Sequence, residues 1–129
     1  MLKYLTIGIL SLFTTCAENK EQVPSKSIYV IDGDTIAIGD DRIRLMGLDT
    51  PETYRAKCAS EKALGDKATD RLRQLIKEQN YVEMALEPRK DKYGRGLAKL
   101  FINGENVADI LIGEGLARPY RGGKRQGWC

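Results

Sequence analysis

Histidine is absent from the 129 residues of this chain, so the most common general base and metal ligand of proteins is missing. The absence excludes ribonuclease-type His pairs, His-dependent metallonucleases and Ser-His-Asp hydrolases. Acid–base chemistry would have to use Asp, Glu, Lys, Tyr, water polarised by arginine, or a metal ion. A hard cation held by oxygen ligands fits this set of residues.

Cysteine is scarce, with three residues in the chain. None has a second Cys at metal-ligand spacing, so a zinc site is not expected. If Cys16 belongs to a leader segment, Cys58 and Cys129 remain as a pair. In an exported chain, a bond between them would close most of the domain and stabilise it by about 4 kcal/mol in the chain-entropy model. Two free thiols are the alternative.

No strong excess of either charge is present. The net charge is +3, with 30% charged and 42% hydrophobic residues. These values are ordinary for a folded soluble protein, and the length allows one domain with a hydrophobic core. The small positive excess permits an anionic partner but is lower than that of a dedicated non-specific DNA-binding protein.

Long apolar runs are also missing, because residues 5–13 are too few to cross a bilayer as a permanent helix. This run follows the positive Lys3, so we expect residues 1–16 to be a secretion signal; a buried strand is the alternative. Cys16 resembles the lipidated cysteine of bacterial lipoproteins, and cleavage after Ala17 is the competing outcome. Residues 17–26 would then form a polar tether.

Five short runs rich in apolar residues predict strands, at residues 27–31, 36–38, 42–48, 81–86 and 97–102. A long helix is predicted over residues 60–80, with Ser60 as its cap, and a short helix over residues 107–114. Five strands with a helix after the third describe a five-stranded OB-fold barrel, so the expected class is β-rich α+β.

Residues 44–52 read Arg-Leu-Met-Gly-Leu-Asp-Thr-Pro-Glu. Arg44 lies on the third strand, and Asp49 and Glu52 follow its end, where Pro51 makes a stiff corner. The meander could bring Asp34 close to Asp49, and two carboxylates in one cleft repel each other unless a cation joins them. The alternative is an ordinary strand end with turn-forming residues.

Arg95 stands between two glycines in the loop after residue 86. Glycine on both sides lets the backbone approach a partner closely and directs a long cationic side chain outward. A glycine-containing hairpin with an exposed arginine is the alternative.

Four ordered segments resemble the staphylococcal nuclease (thermonuclease) family: residues 31–35, 44–52, 91–98 and 115–117. The resemblance covers about residues 28–120 and identifies residues 27–129 as a thermonuclease-like OB-fold domain. It implies a calcium-dependent phosphodiesterase that cuts DNA and RNA and leaves 3′-phosphates.

By motif position, the resemblance implies that Asp34 and Asp49 bind Ca²⁺ through their carboxylates, and Thr50 through its backbone carbonyl. Glu52 would orient or deprotonate the attacking water.

The resemblance also implies that Arg44 and Arg95 bind the phosphate, a role that suits the planar guanidinium. Tyr93 and Tyr120 are placed like the aromatic residues of the family that contact the nucleotide. Packing in the barrel is the alternative for both.

The region after Tyr120 departs from the staphylococcal enzyme, whose long carboxy-terminal helix has no counterpart here. It resembles family members that end in a basic Gly-Gly-Lys-Arg segment and Trp-Cys. We expect a bond between Cys58 and Cys129 to attach this region to the start of the long helix.

We therefore expect a monomeric exported nuclease for single-stranded or unpaired DNA and RNA, either free or held to the membrane by a lipid at Cys16. One alternative is a non-catalytic nucleic-acid-binding module of the cell envelope, which would be expected to lack some of the motif residues. A third hypothesis is an envelope protein that adheres to anionic polymers.

Overall fold

Nine strands and two α-helices follow one another in residues 19–129, the part of the chain that this computed structural model describes. The strands are β1 Glu21–Pro24, β2 Ile28–Asp32, β3 Thr35–Ile38, β4 Asp41–Leu45, β5 Gly47–Asp49, β6 Tyr81–Lys90, β7 Gly96–Ile102, β8 Glu105–Asn106 and β9 Arg118–Tyr120. The helices are α1 Ala59–Lys77 and α2 Val107–Gly113, and a 3₁₀ turn covers Ser25–Ser27.

Seven of these strands form one curled sheet in the order β1-β6-β7-β4-β3-β2, with β8 paired to β7. Neighbours are antiparallel except β4 and β7, which are parallel and place Arg44 opposite Leu97. Strands β5 and β9 form a separate antiparallel pair. The predicted β-rich α+β class, with one long and one short helix, is confirmed, and four of the five predicted strands correspond to β2, β3, β6 and β7.

The core lies between the sheet and the two helices. Along β4, Ile43 and Leu45 are buried and Arg44 between them faces the other side, as the period of a strand requires. Helix α1 adds Ala68, Leu72 and Ile76, which recur at helical spacing. Each large apolar side chain buried in this way contributes about 1.5–3 kcal/mol.

The third predicted strand, residues 42–48, is interrupted in the structure. Gly47 has a φ of +89°, so the chain turns after Leu45 and continues as β5, which pairs with β9 instead of the main sheet. Strand β9 is not among the predicted strands. Because its three residues include Pro119, it carries almost no local strand signal.

Residues 17–26 are predicted to be a polar tether, and this prediction is wrong for Glu21–Pro24, which form a strand. This segment forms β1 along the edge of β6, with Val23 opposite Val82 and buried in the core. The ten-residue strand β6 would otherwise present unpaired backbone groups along that edge. The predicted signal, residues 1–16, and the lipidation at Cys16 lie outside the described residues.

Helix α1 differs from its prediction at both ends. It begins at Ala59 after Cys58, which makes no side-chain capping bond, so Ser60 is not the cap. It ends at Lys77 rather than at residue 80. Within residues 19–129, neither helix has the length and apolar character that a membrane span needs.

Candidate active site

Three of the predicted site residues meet where the β2–β3 turn, β4 and β5 converge. Asp34 lies in the turn, Arg44 on β4 and Asp49 at the end of β5, and all three side chains are largely buried. Arg44 Nη2 is 3.4 Å from Asp34 Oδ2 and 4.0 Å from Asp49 Oδ1. The two carboxylates therefore face one guanidinium, and the sequence-based expectation of their proximity is met.

Backbone carbonyls fix the position of Arg44. Its Nη1 donates to the carbonyl of Leu45 at 2.6 Å, and its Nη2 donates to that of Leu48 at 3.0 Å. The ring of Tyr120 lies across the guanidinium, with 5.9 Å between the ring centre and Cζ. Since these contacts come from β4, β5 and β9 of the same domain, the guanidinium is held in place before any ligand binds.

Asp34 is held by hydrogen bonds to both of its oxygens. Oδ1 accepts from the Thr35 hydroxyl at 3.1 Å, and Oδ2 accepts from the Thr50 N–H at 3.2 Å. Burial raises the pKa of Asp34, but the charge of Arg44 and these hydrogen bonds outweigh it and hold the pKa below its ordinary value. Asp34 is therefore an anion at neutral pH.

Asp32 is a second acid of the same turn that the sequence analysis did not assign to the site. Burial, together with the charge of Asp34, raises the pKa of Asp32 to about 7. Its Oδ1 accepts the Asp34 N–H at 3.2 Å, which shapes the turn. Gly33 between them avoids a close contact, because a Cβ there would lie 2.8 Å from Thr50 Cγ2.

Asp49 is only 3% exposed and uses its two oxygens differently. Oδ2 accepts a hydrogen bond from Trp128 Nε1 at 3.1 Å. Oδ1 lies 2.8 Å from Arg125 Nε, but the geometry does not form a hydrogen bond, so this buried oxygen has none. A buried carboxylate oxygen without a hydrogen bond is uncommon, and it is suited to bind a cation.

Glu52 lies on a corner that α1 supports. Glu61 Oε2 accepts the Glu52 N–H at 3.1 Å, and its Oε1 accepts the Lys57 N–H at 2.8 Å. Helix α1 reaches the corner at Gly65, where a Cβ would lie 2.5 Å from the carbonyl oxygen of Glu52. The Glu52 carboxylate is one-third exposed and accepts a hydrogen bond from Arg125 Nη2 at 3.0 Å.

The hydrogen bond and ion pair of Arg95 are with Asp91 of its own loop and not with this cluster. Its Nε donates to Asp91 Oδ2 at 2.7 Å, and its guanidinium lies over the Tyr93 ring at 5.4 Å. Asp91 also accepts the N–H groups of Tyr93 and Arg95, so the loop is built around this carboxylate. Tyr93 is 72% exposed, whereas Tyr120 packs on Arg44.

The predicted bond between Cys58 and Cys129 is present, with Cα atoms 6.0 Å apart. It brings the carboxy-terminal tail, residues 121–129, to the start of α1 and to the site. Arg125 and Trp128 of this tail contact Asp49, and the sequence analysis did not assign either of them to the site. The only local signal was the basic and aromatic composition of the tail, which does not specify a contact 70 or more residues away.

Residues 42–127 match the family model described as "Staphylococcal nuclease homologue". The chain belongs to the staphylococcal nuclease family. The matched region contains Arg44, Asp49, Glu52 and Arg95, together with Arg125 of the tail.

Similar proteins include a thermonuclease of Staphylococcus intermedius, 42% identical over 94 residues, which cover 69% of this chain and 55% of that protein. Endonuclease YncB of Bacillus subtilis is 38% identical over 96 residues, which cover 68% of this chain and 44% of that protein. The SPbeta prophage-derived endonuclease YokF of the same species is 36% identical over 107 residues, which cover 77% of this chain and 35% of that protein. The chain spans less than two thirds of the length of these relatives.

The staphylococcal nuclease domain of this chain thus presents two buried carboxylates and a fixed guanidinium, with a half-buried carboxylate beside them. Asp34, the oxygen of Asp49 that accepts no hydrogen bond, and the backbone of Thr50 would offer oxygen ligands of the kind that hard divalent cations prefer. The donor set therefore fits a divalent cation. Arg44 supplies a planar donor of the kind that binds phosphate.

Proposed function

We propose that this protein is an exported calcium-dependent nuclease that hydrolyses phosphodiester bonds of DNA or RNA and leaves 3′-phosphates. The observation that carries the proposal is the buried Asp49 Oδ1, which lies beside the buried Asp34, accepts no hydrogen bond and faces two cationic groups, Arg125 Nε at 2.8 Å and Arg44 Nη2 at 4.0 Å. Family membership and the names of the similar proteins, thermonuclease and endonuclease, support the same chemistry.

In the proposed reaction, Asp34, Asp49 and the carbonyl of Thr50 would hold Ca²⁺. When bound, the ion would stabilise negative charge that develops on the phosphate oxygens. Arg44 would donate to the same phosphate from a position that its contacts with Leu45 and Leu48 already fix, so little reorganisation is needed.

Glu52 is proposed to orient the attacking water or to accept its proton. Its carboxylate is one-third exposed, so water has access to it, and its backbone is anchored by Glu61. Arg95 is proposed as a second phosphate ligand that would exchange its bond with Asp91 for one with substrate.

The substrate is proposed to be single-stranded or unpaired nucleic acid. Tyr93 is exposed on the β6–β7 loop and Tyr120 lies on the Arg44 guanidinium. Bases stack on aromatic side chains of this kind without requiring a particular sequence. We propose that the protein acts as a monomer.

Export is proposed on two grounds. Residues 1–16 have the pattern of a secretion signal. The disulfide between Cys58 and Cys129 is of a kind that persists in oxidising compartments. A lipid anchor at Cys16 belongs to the same proposal, and mass spectrometry of the mature amino terminus tests it.

The nuclease proposal is tested by incubating the full chain with single-stranded DNA in calcium or in a chelator. We expect cleavage in calcium only, with 3′-phosphate ends in the products. Glu52→Gln should lower the rate about 10²- to 10⁴-fold, as is typical for loss of a general base. Arg44→Lys should lower it about 10²- to 10³-fold, as is typical for loss of an electrostatic donor.

Two exposed residues of the same types serve as controls. Glu105→Gln on β8 and Arg42→Lys on β4 should leave the rate unchanged. Absence of cleavage by the wild type in calcium would overturn the nuclease proposal, and salt-sensitive DNA binding without cleavage would favour the binding-module alternative. Undiminished cleavage by Glu52→Gln or Arg44→Lys would overturn the assigned roles alone.

A further inference from the structure

The carboxy-terminal tail forms one side of the candidate site. Its last residue is bonded to Cys58, and Trp128 donates to Asp49 Oδ2. Arg118 of β9 holds the tail from the other side: its guanidinium stacks on the Trp128 ring at 3.7 Å and donates to the Gly127 carbonyl at 2.9 Å. These contacts determine where the preceding residues of the tail lie.

Arg125 is placed by this arrangement across two carboxylates of the site. Its Nε is 2.8 Å from Asp49 Oδ1, and its Nη2 is 3.0 Å from Glu52 Oε1. Because arginine stays protonated in proteins, its guanidinium is a cation in contact with the Asp49 oxygen that would bind Ca²⁺.

Two features indicate that this cation can be displaced. The contact with Asp49 Oδ1 lacks hydrogen-bond geometry, and the Arg125 side chain is 42% exposed, so water can solvate it when it moves. The pair between Arg125 and Glu52, whose side chain is 33% exposed, is of the exposed kind that is weak, whereas the Asp49 side chain is only 4% exposed. Arg44, by contrast, is 13% exposed and bound to backbone carbonyls, so it stays in place.

We propose that Arg125 is a built-in counter-cation that neutralises Asp49 and Glu52 in the metal-free protein and competes with the divalent cation for Asp49. The inference rests on the proposed metal site. Arg125 thereby lowers the affinity for metal, and metal binding frees both the guanidinium and the Glu52 carboxylate from their mutual contact.

Calcium titration by calorimetry, without substrate, tests this inference. Arg125→Gln should bind Ca²⁺ at least about fivefold more tightly than the wild type, because about fivefold corresponds to the upper range for an exposed ion pair and Asp49 is buried. Arg121→Gln removes an exposed arginine of the same tail and should bind like the wild type. Asp49→Asn should abolish Ca²⁺ binding both in the wild type and in combination with Arg125→Gln.

The full wild-type chain provides a second measurement. The Nε–H resonance of Arg125, followed by NMR during the calcium titration, should shift and exchange faster with water as Ca²⁺ displaces the guanidinium. The resonance of Arg71, which pairs with Glu114 on another part of the surface, should not change.

The outcomes separate this inference from the proposed function. Calcium affinity in Arg125→Gln that is equal to or weaker than that of Arg121→Gln, or an Arg125 resonance unaffected by bound calcium, overturns the role of Arg125 and leaves the metal site standing. Absence of calcium binding in the wild type and in Arg125→Gln overturns both.

Discussion

Glu61 is a buried acid that binds backbone instead of a basic side chain. Its two oxygens accept the N–H groups of Glu52 and Lys57, which lie at the two ends of the loop before α1. These hydrogen bonds, first that of Lys57 and then that of Glu52, hold the pKa of Glu61 below its ordinary value. One side chain therefore fixes the corner that carries the proposed water-activating residue.

Replacing Glu61 by Gln should destabilise the protein in a pH-dependent way. At pH 7 we expect a loss of about 1–3 kcal/mol, because hydrogen bonds to a charged acceptor are replaced by weaker ones. Since the folded-state pKa is lowered, the stabilisation is present above the unfolded-state pKa, about 4.3, and is lost as the pH falls through the folded-state pKa.

Urea unfolding of the wild type and Glu61→Gln at pH 7 and in steps down to pH 3 measures this difference. The gap in unfolding free energy should narrow as the pH falls. Glu105→Gln, on strand β8, should have the same unfolding free energy as the wild type at pH 7 and at pH 3. A gap for Glu61→Gln that is the same at pH 3 and pH 7 would contradict the assigned charge of Glu61.

At the scale of elements, the close approach of α1 to the Pro51–Glu52 backbone positions the corner. The helix contacts this corner through Gly65, where a Cβ would be 2.5 Å from the Glu52 oxygen and 2.8 Å from that of Pro51. Both neighbours are backbone atoms and cannot rotate away as a flexible side chain would. Glycine at this position therefore keeps the helix close to the site despite its low helix propensity.

Gly65→Ala should lower stability although alanine is the better helix former. The gain in propensity is about 1 kcal/mol, whereas forcing an extra methyl group into a packed contact typically costs about 1–3 kcal/mol and moves the backbone. We expect a net loss in unfolding free energy and a lower rate of DNA cleavage, because Glu52 is displaced.

The matched control is Gly113→Ala at the end of α2, where a Cβ meets nothing within 4 Å. Denaturant unfolding should show no loss for this variant, and its activity should equal that of the wild type. Equal stabilities of Gly65→Ala and Gly113→Ala would contradict the close approach of α1 to the corner.

At the scale of the whole molecule, the disulfide joins two regions 71 residues apart in sequence. It attaches the end of the tail beside α1, and the tail in turn brings Arg125 and Trp128 to Asp49. A bond that closes a loop of this length restricts the unfolded chain strongly. The same bond therefore serves both stability and the composition of the site.

Reduction should lower the unfolding free energy by about 4 kcal/mol in the chain-entropy model. Urea unfolding with and without reductant measures the change, and thiol titration of the unreduced protein should find Cys58 and Cys129 blocked. The double variant Cys58→Ser/Cys129→Ser should be less stable from the start and insensitive to reductant. Free thiols at both positions, with no effect of reductant on stability, would contradict the bond.

Local patterns predicted much of the fold and the central part of the site. Alternation predicted β2, β3, β6 and β7, and helical spacing predicted most of α1. The proximity of Asp34, Arg44 and Asp49 was predictable because a meander brings consecutive strands together, so short separations in sequence became short distances.

Features that depend on distant pairing were not predictable in the same way. Strand β1 reads as a polar segment, and only the exposed edge of β6 makes it a strand. Strand β9 pairs with β5, which leaves the main sheet at Gly47. In both cases the partner strand is far away in sequence from the residues that form the unpredicted strand.

The amino-acid sequence alone defines the chemistry open to this protein: oxygen ligands, carboxylates and guanidinium groups, without histidine. It also determined the strands and helices whose patterns are local, and through ordered motifs the family. The fold adds Arg125 to Arg44 as a cation beside Asp49, and it does so through contacts and a disulfide that join residues far apart in sequence. The physical reason is that side-chain periodicity reports which face of an element is buried, whereas contacts between distant segments depend on how the whole chain packs.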